Sequence, residues 1–521
     1  MLLKKLIKKV PKNLKNLKIK GLALNSIKVK KDYIFFALKG TRNNGENFIN
    51  EAIKNGAKII ICSKGCKFKS KKAEIIKVKN TRKSLSEISS KFFLSKPKNI
   101  IAVTGTNGKT SVAEFYYQIM KLNRVPAASI GTLGIKYKNN SFKTNLTSPD
   151  AITLHKHLEQ LKKKNINNVI IEASSHGLEQ NRLDDIKINT GIFTNFSQDH
   201  LDYHKTMKNY LNSKLTLFSR LLPKKSSVIS DKKIKQFVRI KKISKTRELK
   251  LFDINDKINK IQKIKLPLVG KFQIKNLSMA VVAAQLSGLS QKKIFKSLNY
   301  IKNVEGRLDL VKIFPNNIKV FIDYAHTPDA LLQLIYSIKN NYNSKISLVF
   351  GCGGERDFKK RPLMAKVAKS QCDKIYVTDD NPRKESPKKI RQEIVKHLKG
   401  SNYFEIGNRS KAIKEAVTNA GHNEIILIAG KGHETHQDYG NNIINISDKQ
   451  IVKKLKIKKK FFNREKKNFL FNSFVLNKII KKNKIYNFNR IVLDSRDVKK
   501  NDLFLQLCSF QPQKHHISDF D

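Results

Sequence analysis

The chain is short of acids, of cysteines and of long apolar runs, and each shortage excludes something. Of 521 residues, 41 are Asp or Glu against 106 Lys or Arg, a formal charge of +65 at pH 7. No apolar stretch approaches the roughly 18 residues of a membrane helix, so no membrane insertion is expected. The start, MLLKKLIKKVPKNLKNLKIK, is basic and has no apolar core of secretory length, so no signal peptide is expected. The five cysteines, Cys62, Cys66, Cys352, Cys372 and Cys508, are scattered and lack zinc-like pairing. They read as reduced thiols of a cytoplasmic protein. The positive charge lacks the arginine clusters and interleaved aromatics of a dedicated nucleic-acid surface. Lysines accompany Asn and Ile along the whole length, as on solvated surfaces, so no specific nucleic-acid partner is expected.

A chain this long suggests three or four domains at about 150 residues each. Seven β-branched runs end in small or polar residues: NIIAVTG, NVIIEASS, GIFTNFS, KVFIDYAH, ISLVFGCGG, KIYVTDDNPR and EIILIAGKGHE. Continuous apolar runs predict parallel strands buried on both faces, and helical patterns lie between them, so the fold class is α/β. Val112, Phe115, Tyr116, Ile119 and Met120 recur at helical spacing and predict one buried helix face. Boundaries are expected near Pro97 and Gly306–Arg307, with a linker or exposed helix in the lysine-rich KKLKIKKKFFNREKKN. One repeat stands out: LALNSIKVKKDYIFFAL (22 to 38) aligns without gaps to IVLDSRDVKKNDLFLQL (491 to 507), as if one module began twice.

The segment NIIAVTGTNGKTS (99 to 111) has the order strand, Gly-rich turn, helix, but its glycines are oddly placed. The common phosphate loop, G-x-x-x-x-G-K-[ST], would need glycine at 103, where Val103 stands. The order still puts backbone N–H groups around a phosphate, with Lys109 as a charge and Thr110 or Ser111 as hydroxyls for Mg²⁺. In IEASSHGLEQNRL (171 to 183), Glu172 ends a strand before Ser174, Ser175, His176, Gln180 and Arg182. Neighbouring Ser and His rarely face each other as a hydrolytic triad requires, so a metal carboxylate beside anion-binding groups is the more economical reading; a structural role remains open. TNFSQDHLDYH (194 to 204) gathers Asp199, His200, Asp202 and His204, a set suited to Mg²⁺ or Mn²⁺, or to a helix cap with exposed histidines. In the last third, Asp323 and His326 could bond a ribose or base. Arg356 and Arg383 suit carboxylates, and Glu434 suits an ammonium, as a zwitterionic amino acid would require.

Taken in order, TGTNGKTS, EASSHGLEQNR, TNFSQDHLDYH, LVGKFQIKN, GRLDLV, DYAHTPDA, GCGGERD, DDNPR and GKGHE resemble the Mur ligases of peptidoglycan synthesis over roughly residues 20 to 455. The resemblance implies three domains: a uridine-nucleotide module (1–96), a central ATP-binding domain with a parallel sheet (97–305) and a Rossmann-like amino-acid-binding domain (306–455). Residues 456–521 would be a linker and a truncated second uridine module. It implies a monomer using ATP and Mg²⁺. The substrates would be UDP-MurNAc-L-Ala-D-Glu and, because DNPR marks that branch, meso-diaminopimelate rather than lysine. By motif position, Gly105, Thr106, Asn107, Gly108, Lys109, Thr110 and Ser111 would cradle ATP, joined by Asn276, Arg307, Asp323 and His326. Lys109, Glu172, His200 and Lys214 would be catalytic. Thr110, Glu172, His200 and a carbamylated Lys214 would face the metal. Leu24, Ser26, Asn145, Leu146, Thr147, Ser174, Gln180 and Arg182 would contact the muramoyl dipeptide nucleotide. Arg356, Asp380, Asn381, Pro382, Arg383, Gly430 and Glu434 would form the diaminopimelate pocket. The sequence departs from the family pattern at LNSI (24 to 27), where Asp-Ser-Arg is usual, at Leu146 and at Gln273. Other readings are a lysine-adding Mur ligase, a folylpolyglutamate synthase and, more distantly, a nucleic-acid-binding ATPase.

Overall fold

The structure is a computed structural model. It describes residues 1 to 456 except Lys9, Thr41, Arg42, Asn145, Lys265 and Pro267, together with two short strands near the C-terminus. The expectation at Asn145 therefore lies outside the described residues, as does most of the second uridine-like module.

Three α/β sheets follow one another along the chain. The first has four parallel strands, Gly21–Ala23, Tyr33–Phe36, Ala57–Ser63 and Glu74–Val78, in sequence order. The second has eight strands with Asn99–Thr104 near its middle, paired in parallel with Asn168–Glu172 on one side and Thr190–Phe193 on the other. It is not wholly parallel. The hairpin Gly134–Tyr137 and Asn140–Phe142 adds an antiparallel edge, because a short turn can join only antiparallel neighbours. The third sheet has six strands. Ile318–Asp323, Ile425–Ala429, Ile346–Phe350, Lys374–Val377 and Tyr403–Glu405 run parallel, with Asp309–Phe314 antiparallel at the edge. All seven apolar runs form strands in these sheets.

The continuous apolar runs follow from burial on both faces. In Asn99–Thr104, Ile101 and Val103 enter one core cluster while Ile100 and Ala102 enter the cluster on the opposite face. Helix Lys109–Leu122 sends Val112, Phe115, Tyr116, Ile119 and Met120 into the first of these, all fully buried. Emptying one such site, as in Phe115→Ala, removes about 3–5 kcal/mol. No helix among the described residues is long and apolar enough to cross a membrane.

The tail repeat has a backbone counterpart. Arg490–Val492 pairs in parallel with Asp502–Phe504, Arg490 opposite Asp502. In the first module Gly21 lies opposite Tyr33. The gapless alignment carries Gly21 onto Arg490 and Tyr33 onto Asp502, so the two strand pairs share one register.

Candidate active site

The turn after strand Asn99–Thr104 places its glycines at 105 and 108, since Val103 is still within the buried strand. Gly105 has φ 146° and Gly108 φ 86°, conformations that side chains resist. A Cβ at Gly105 would meet the Thr194 hydroxyl, and one at Gly108 the Asn276 side chain. The loop is fixed from behind by the segment after strand Thr190–Phe193. Thr106 N donates to Asn195 O (3.0 Å), Asn107 N to Asn195 Oδ1 (2.9 Å), and Thr194 Oγ1 to Asn107 O (2.6 Å). Gly108 is the N-cap of helix Lys109–Leu122 and provides no side-chain cap, so the first N–H groups keep their capacity for an anion.

Two lysines converge on one carbonyl of this loop. Lys109 Nζ donates to Gly105 O at 2.9 Å and to Thr106 O at 2.8 Å, while Lys214 Nζ donates to the same Gly105 O at 2.7 Å. Lys214 is fully buried, over the Tyr210 ring at 4.3 Å. Burial, reinforced by the charge of Lys109, holds its amine well below the ordinary lysine range. Burial lowers Lys109 too, with Glu172 and Asp199 opposing. A neutral amine in this position can react with CO₂, and the resulting carbamate would place a negative charge beside Lys109.

Glu172 closes strand Asn168–Glu172 and is buried among hydroxyls. It accepts hydrogen bonds from Thr110 Oγ1 (3.0 Å), Thr132 Oγ1 (3.1 Å) and Thr132 N (2.8 Å). His200 lies across the same cavity; burial holds its imidazole well below the ordinary value, which favours the neutral form. Beside it, Asp199 is buried with Oδ2 3.3 Å from His200 Nε2 and 3.6 Å from His326 Nε2. Burial opposes ionisation there, yet His200, His326 and Lys360 keep its carboxyl well below the usual range. Asp202 and His204 do not line this cavity. His204 is buried between Ser175 Oγ (3.0 Å) and Glu179 Oε2 (3.1 Å) instead.

The cavity, of about 220 Å³, is enclosed by the central and third domains together. From the third come Arg307, whose Nη2 donates to Thr110 Oγ1 at 3.3 Å and whose guanidinium stacks 4.5 Å from the Tyr324 ring, and His326. Asp323 faces the cavity, but both its oxygens already accept backbone N–H bonds, from Leu308 (2.6 Å) and Ala325 (2.7 Å). Burial raises its carboxyl above the usual range. Asn107 Nδ2 donates to Asp329 Oδ2 (3.2 Å) and Gln198 Nε2 to Asp357 Oδ2 (3.1 Å), tying the loop's domain to the third.

A second cluster lies at the carboxyl edge of the third sheet. Lys431, fully buried, donates to Asn381 Oδ1 (3.1 Å), Glu434 Oε2 (2.9 Å) and His436 O (2.6 Å), and Asn381 Nδ2 donates to Glu434 Oε2 (2.9 Å). Burial works against the Glu434 anion, but Lys431 and Asn381 hold its carboxyl below the usual range. Arg383 Nη1 donates to Gly354 O at 2.7 Å. Burial, then the nearby charge of Arg356, lowers its guanidinium. Pro382 O lies against Gly354, and Asp380 Oδ1 accepts from Asn381 N (2.7 Å) while Oδ2 faces Gly430.

Of the expected dipeptide contacts, Thr147 and Ser174 line the cavity. Gln180 and Arg182 form a pair beside it, with Arg182 Nη2 donating to Gln180 Oε1 at 2.7 Å. Leu146 is exposed. In the first domain, Leu24 packs at the edge of a core cluster and buried Ser26 donates to Glu51 Oε2 at 2.6 Å. Sequence reasoning passed over Thr132, Ser148 and Lys431. Only Lys431 had a visible signal, standing inside the quoted GKGHE.

Residues 18–93, 103–284 and 306–432 match, in turn, the Mur ligase family catalytic domain, the Mur ligase middle domain and the Mur ligase glutamate ligase domain. The three-sheet fold and the loop-centred cleft thus fall on family domains in family order. The chain belongs to the Mur ligase family. It is 40% identical over 473 residues to the UDP-N-acetylmuramoyl-L-alanyl-D-glutamate–2,6-diaminopimelate ligase of Rickettsia montanensis, with 85% of this chain and 98% of that one covered. The ligase of the same name from Bradyrhizobium diazoefficiens is 36% identical over 465 residues, covering 84% and 94%. A solved structure of a ligase of that name superposes with TM-score 0.59 at 27% identity, over 87% of this chain and 98% of that chain. MurF ligase from Thermotoga maritima, solved in complex with ADP, shares the fold at TM-score 0.55 and 18% identity, covering 80% and 95%.

Proposed function

We propose that the chain is an ATP-dependent acid–amino-acid ligase. It joins meso-diaminopimelate to the D-glutamate side-chain carboxylate of UDP-N-acetylmuramoyl-L-alanyl-D-glutamate, a cytoplasmic step in making peptidoglycan precursor. The observation that carries this reading is the 40% identity across 85% of the chain to a ligase of that name. The cavity geometry agrees with it: the Gly105–Ser111 turn of the central domain and Arg307 and His326 of the third line one cavity.

The chemistry follows from a poor electrophile. A carboxylate resists amine attack because oxide or hydroxide leaves badly; as an acyl phosphate it carries a good leaving group. Residues Gly105 to Ser111 hold the triphosphate, and Lys109 exchanges its carbonyl partners for phosphate oxygens. Asn276, Arg307, Asp323 and His326 bound the nucleotide side of the cavity. Thr147, Ser174, Gln180 and Arg182, with Leu24 and Ser26 of the first domain, hold the acid substrate. Arg356 and Arg383 take the carboxylates of the incoming amino acid, and Glu434 with Asp380 and Asn381 faces its ammonium.

The donor set fits Mg²⁺: Thr110 supplies a hydroxyl, Glu172 a carboxylate and His200 a neutral imidazole, and Lys214 adds an oxygen donor when carbamylated. When bound, the ion neutralises charge on the transferring phosphoryl group.

Phosphate release from ATP with the nucleotide dipeptide tests this, comparing diaminopimelate, lysine and no acceptor. Release with diaminopimelate alone is expected. Equal release with lysine would overturn the acceptor assignment, and release without any acceptor would overturn the ligase reading.

A further inference from the structure

We infer that Arg82 is an additional substrate-binding residue: with Arg182 it forms a guanidinium pair, one from each side of the boundary between the first and central domains, that grips an anionic oxygen of the nucleotide-linked acid. This rests on the functional reading above, because it names a further contact to the same substrate.

The placement comes from topology. Helix Thr81–Phe92 begins just beyond strand Glu74–Val78, so Arg82 stands at the carboxyl edge of the first parallel sheet, as does Lys39 after strand Tyr33–Phe36. Gln180 and Arg182 follow helix Ser175–Glu179 at the carboxyl edge of the central sheet. Ligands of parallel sheets bind at such edges, and here two edges meet. The boundary is packed, which fixes the position: Ser86 Oγ donates to Asp184 O (2.6 Å) and Ser90 Oγ to Asp185 O (3.1 Å).

The side chains point the same way. Arg82 Nη1 donates to Gln180 Oε1 at 3.2 Å, and Arg182 Nη2 donates to that same oxygen at 2.7 Å. Their other bonds go to Lys39 O (3.1 Å) and Ser148 O (2.7 Å). All three acceptors are neutral amide oxygens, and among the described residues neither guanidinium joins an ion pair. Two cations sharing one amide oxygen repel each other. An anion placed between them relieves that repulsion and gains two charge-assisted hydrogen bonds. The substrate has such oxygens on its diphosphate and on its peptide carboxylates.

The test compares wild type with Arg82→Ala and Arg82→Met in the full chain, the latter retaining the apolar stem without charge. Calorimetric binding of UDP-N-acetylmuramoyl-L-alanyl-D-glutamate and of UDP is measured, together with KM for ATP and the melting temperature. Both variants should bind the dipeptide nucleotide about 10- to 100-fold more weakly, with KM for ATP unchanged. Equal weakening for UDP assigns the contact to the diphosphate; weakening confined to the dipeptide form assigns it to a carboxylate. Wild-type affinity in Arg82→Met, or a parallel rise in KM for ATP, overturns the proposal. If wild type itself fails to ligate the dipeptide nucleotide, the functional reading is at fault; if it ligates and Arg82→Met binds normally, this inference alone is.

Discussion

Two side-chain clusters, one at the Gly105–Ser111 turn and one at the carboxyl edge of the third sheet, handle charge differently. At the phosphate loop, Lys109 and Lys214 rest on backbone carbonyls, sharing that of Gly105, and Glu172 is wrapped in hydroxyls. At the edge of the third sheet, Glu434 is matched by Lys431, and Arg409 and Asp448 form a fully buried ion pair at 2.7 Å. At the first, burial holds both amines below the ordinary lysine range, with the Glu172 and Asp199 carboxylates close to Lys109. The second holds both signs in fixed pairs.

The largest effect should come from disturbing the cluster at the Gly105–Ser111 turn. Lys109→Ala or Lys214→Ala should lower kcat about a thousandfold, on the scale of losing one preorganised electrostatic group, measured by product formation at saturating substrates. In wild type, mass spectrometry near neutral pH should find one CO₂ on Lys214. At the edge of the third sheet, Arg383→Ala should raise the acceptor KM about 10- to 100-fold while KM for ATP stays constant; a matching rise for ATP would erase the distinction between the two clusters. Lys431→Met leaves the Glu434 carboxylate without its cation, so denaturant unfolding should show a loss of about 1–3 kcal/mol, accompanied by weaker acceptor use.

A pH effect of smaller size belongs to His155, on helix Ala151–Lys163 and fully buried. Burial and the charge of Lys96 hold its imidazole down to about 3 from 6.5. The neutral form is favoured in the folded state, so this stability is complete above pH 6.5 and is lost as pH falls toward 3. The slope is at most roughly 1.4 kcal/mol per pH unit. Thermal melts of His155→Leu against wild type should show a flatter decline across that window. The least effect is expected from deleting residues 460 to 521, which should leave ligation unchanged.

The α/β alternation and the nucleotide loop could be read directly because a parallel strand buried on both faces forces a continuous apolar run, as in Ile100–Val103. Side chains that act through partners distant in sequence were harder to see. Lys431 is one lysine among 106 basic residues until the fold sets it against Asn381 and Glu434. Thr132 sits in SIGTLG, which carries no local signature, and matters only because strand pairing brings it to Glu172. His204 looked equivalent to His200, yet one helical turn sends it to Ser175. The tail copy was visible as repeated letters, and the shared register of Arg490–Asp502 and Gly21–Tyr33 gives that repetition a backbone meaning.

The account depends on ATP energising the glutamate side chain before the amine arrives. Isotopically labelled oxygen in that carboxylate should appear in the orthophosphate released during ligation, one labelled atom for each amide formed. Full retention of the label in the peptide product and the unreacted acid would contradict it.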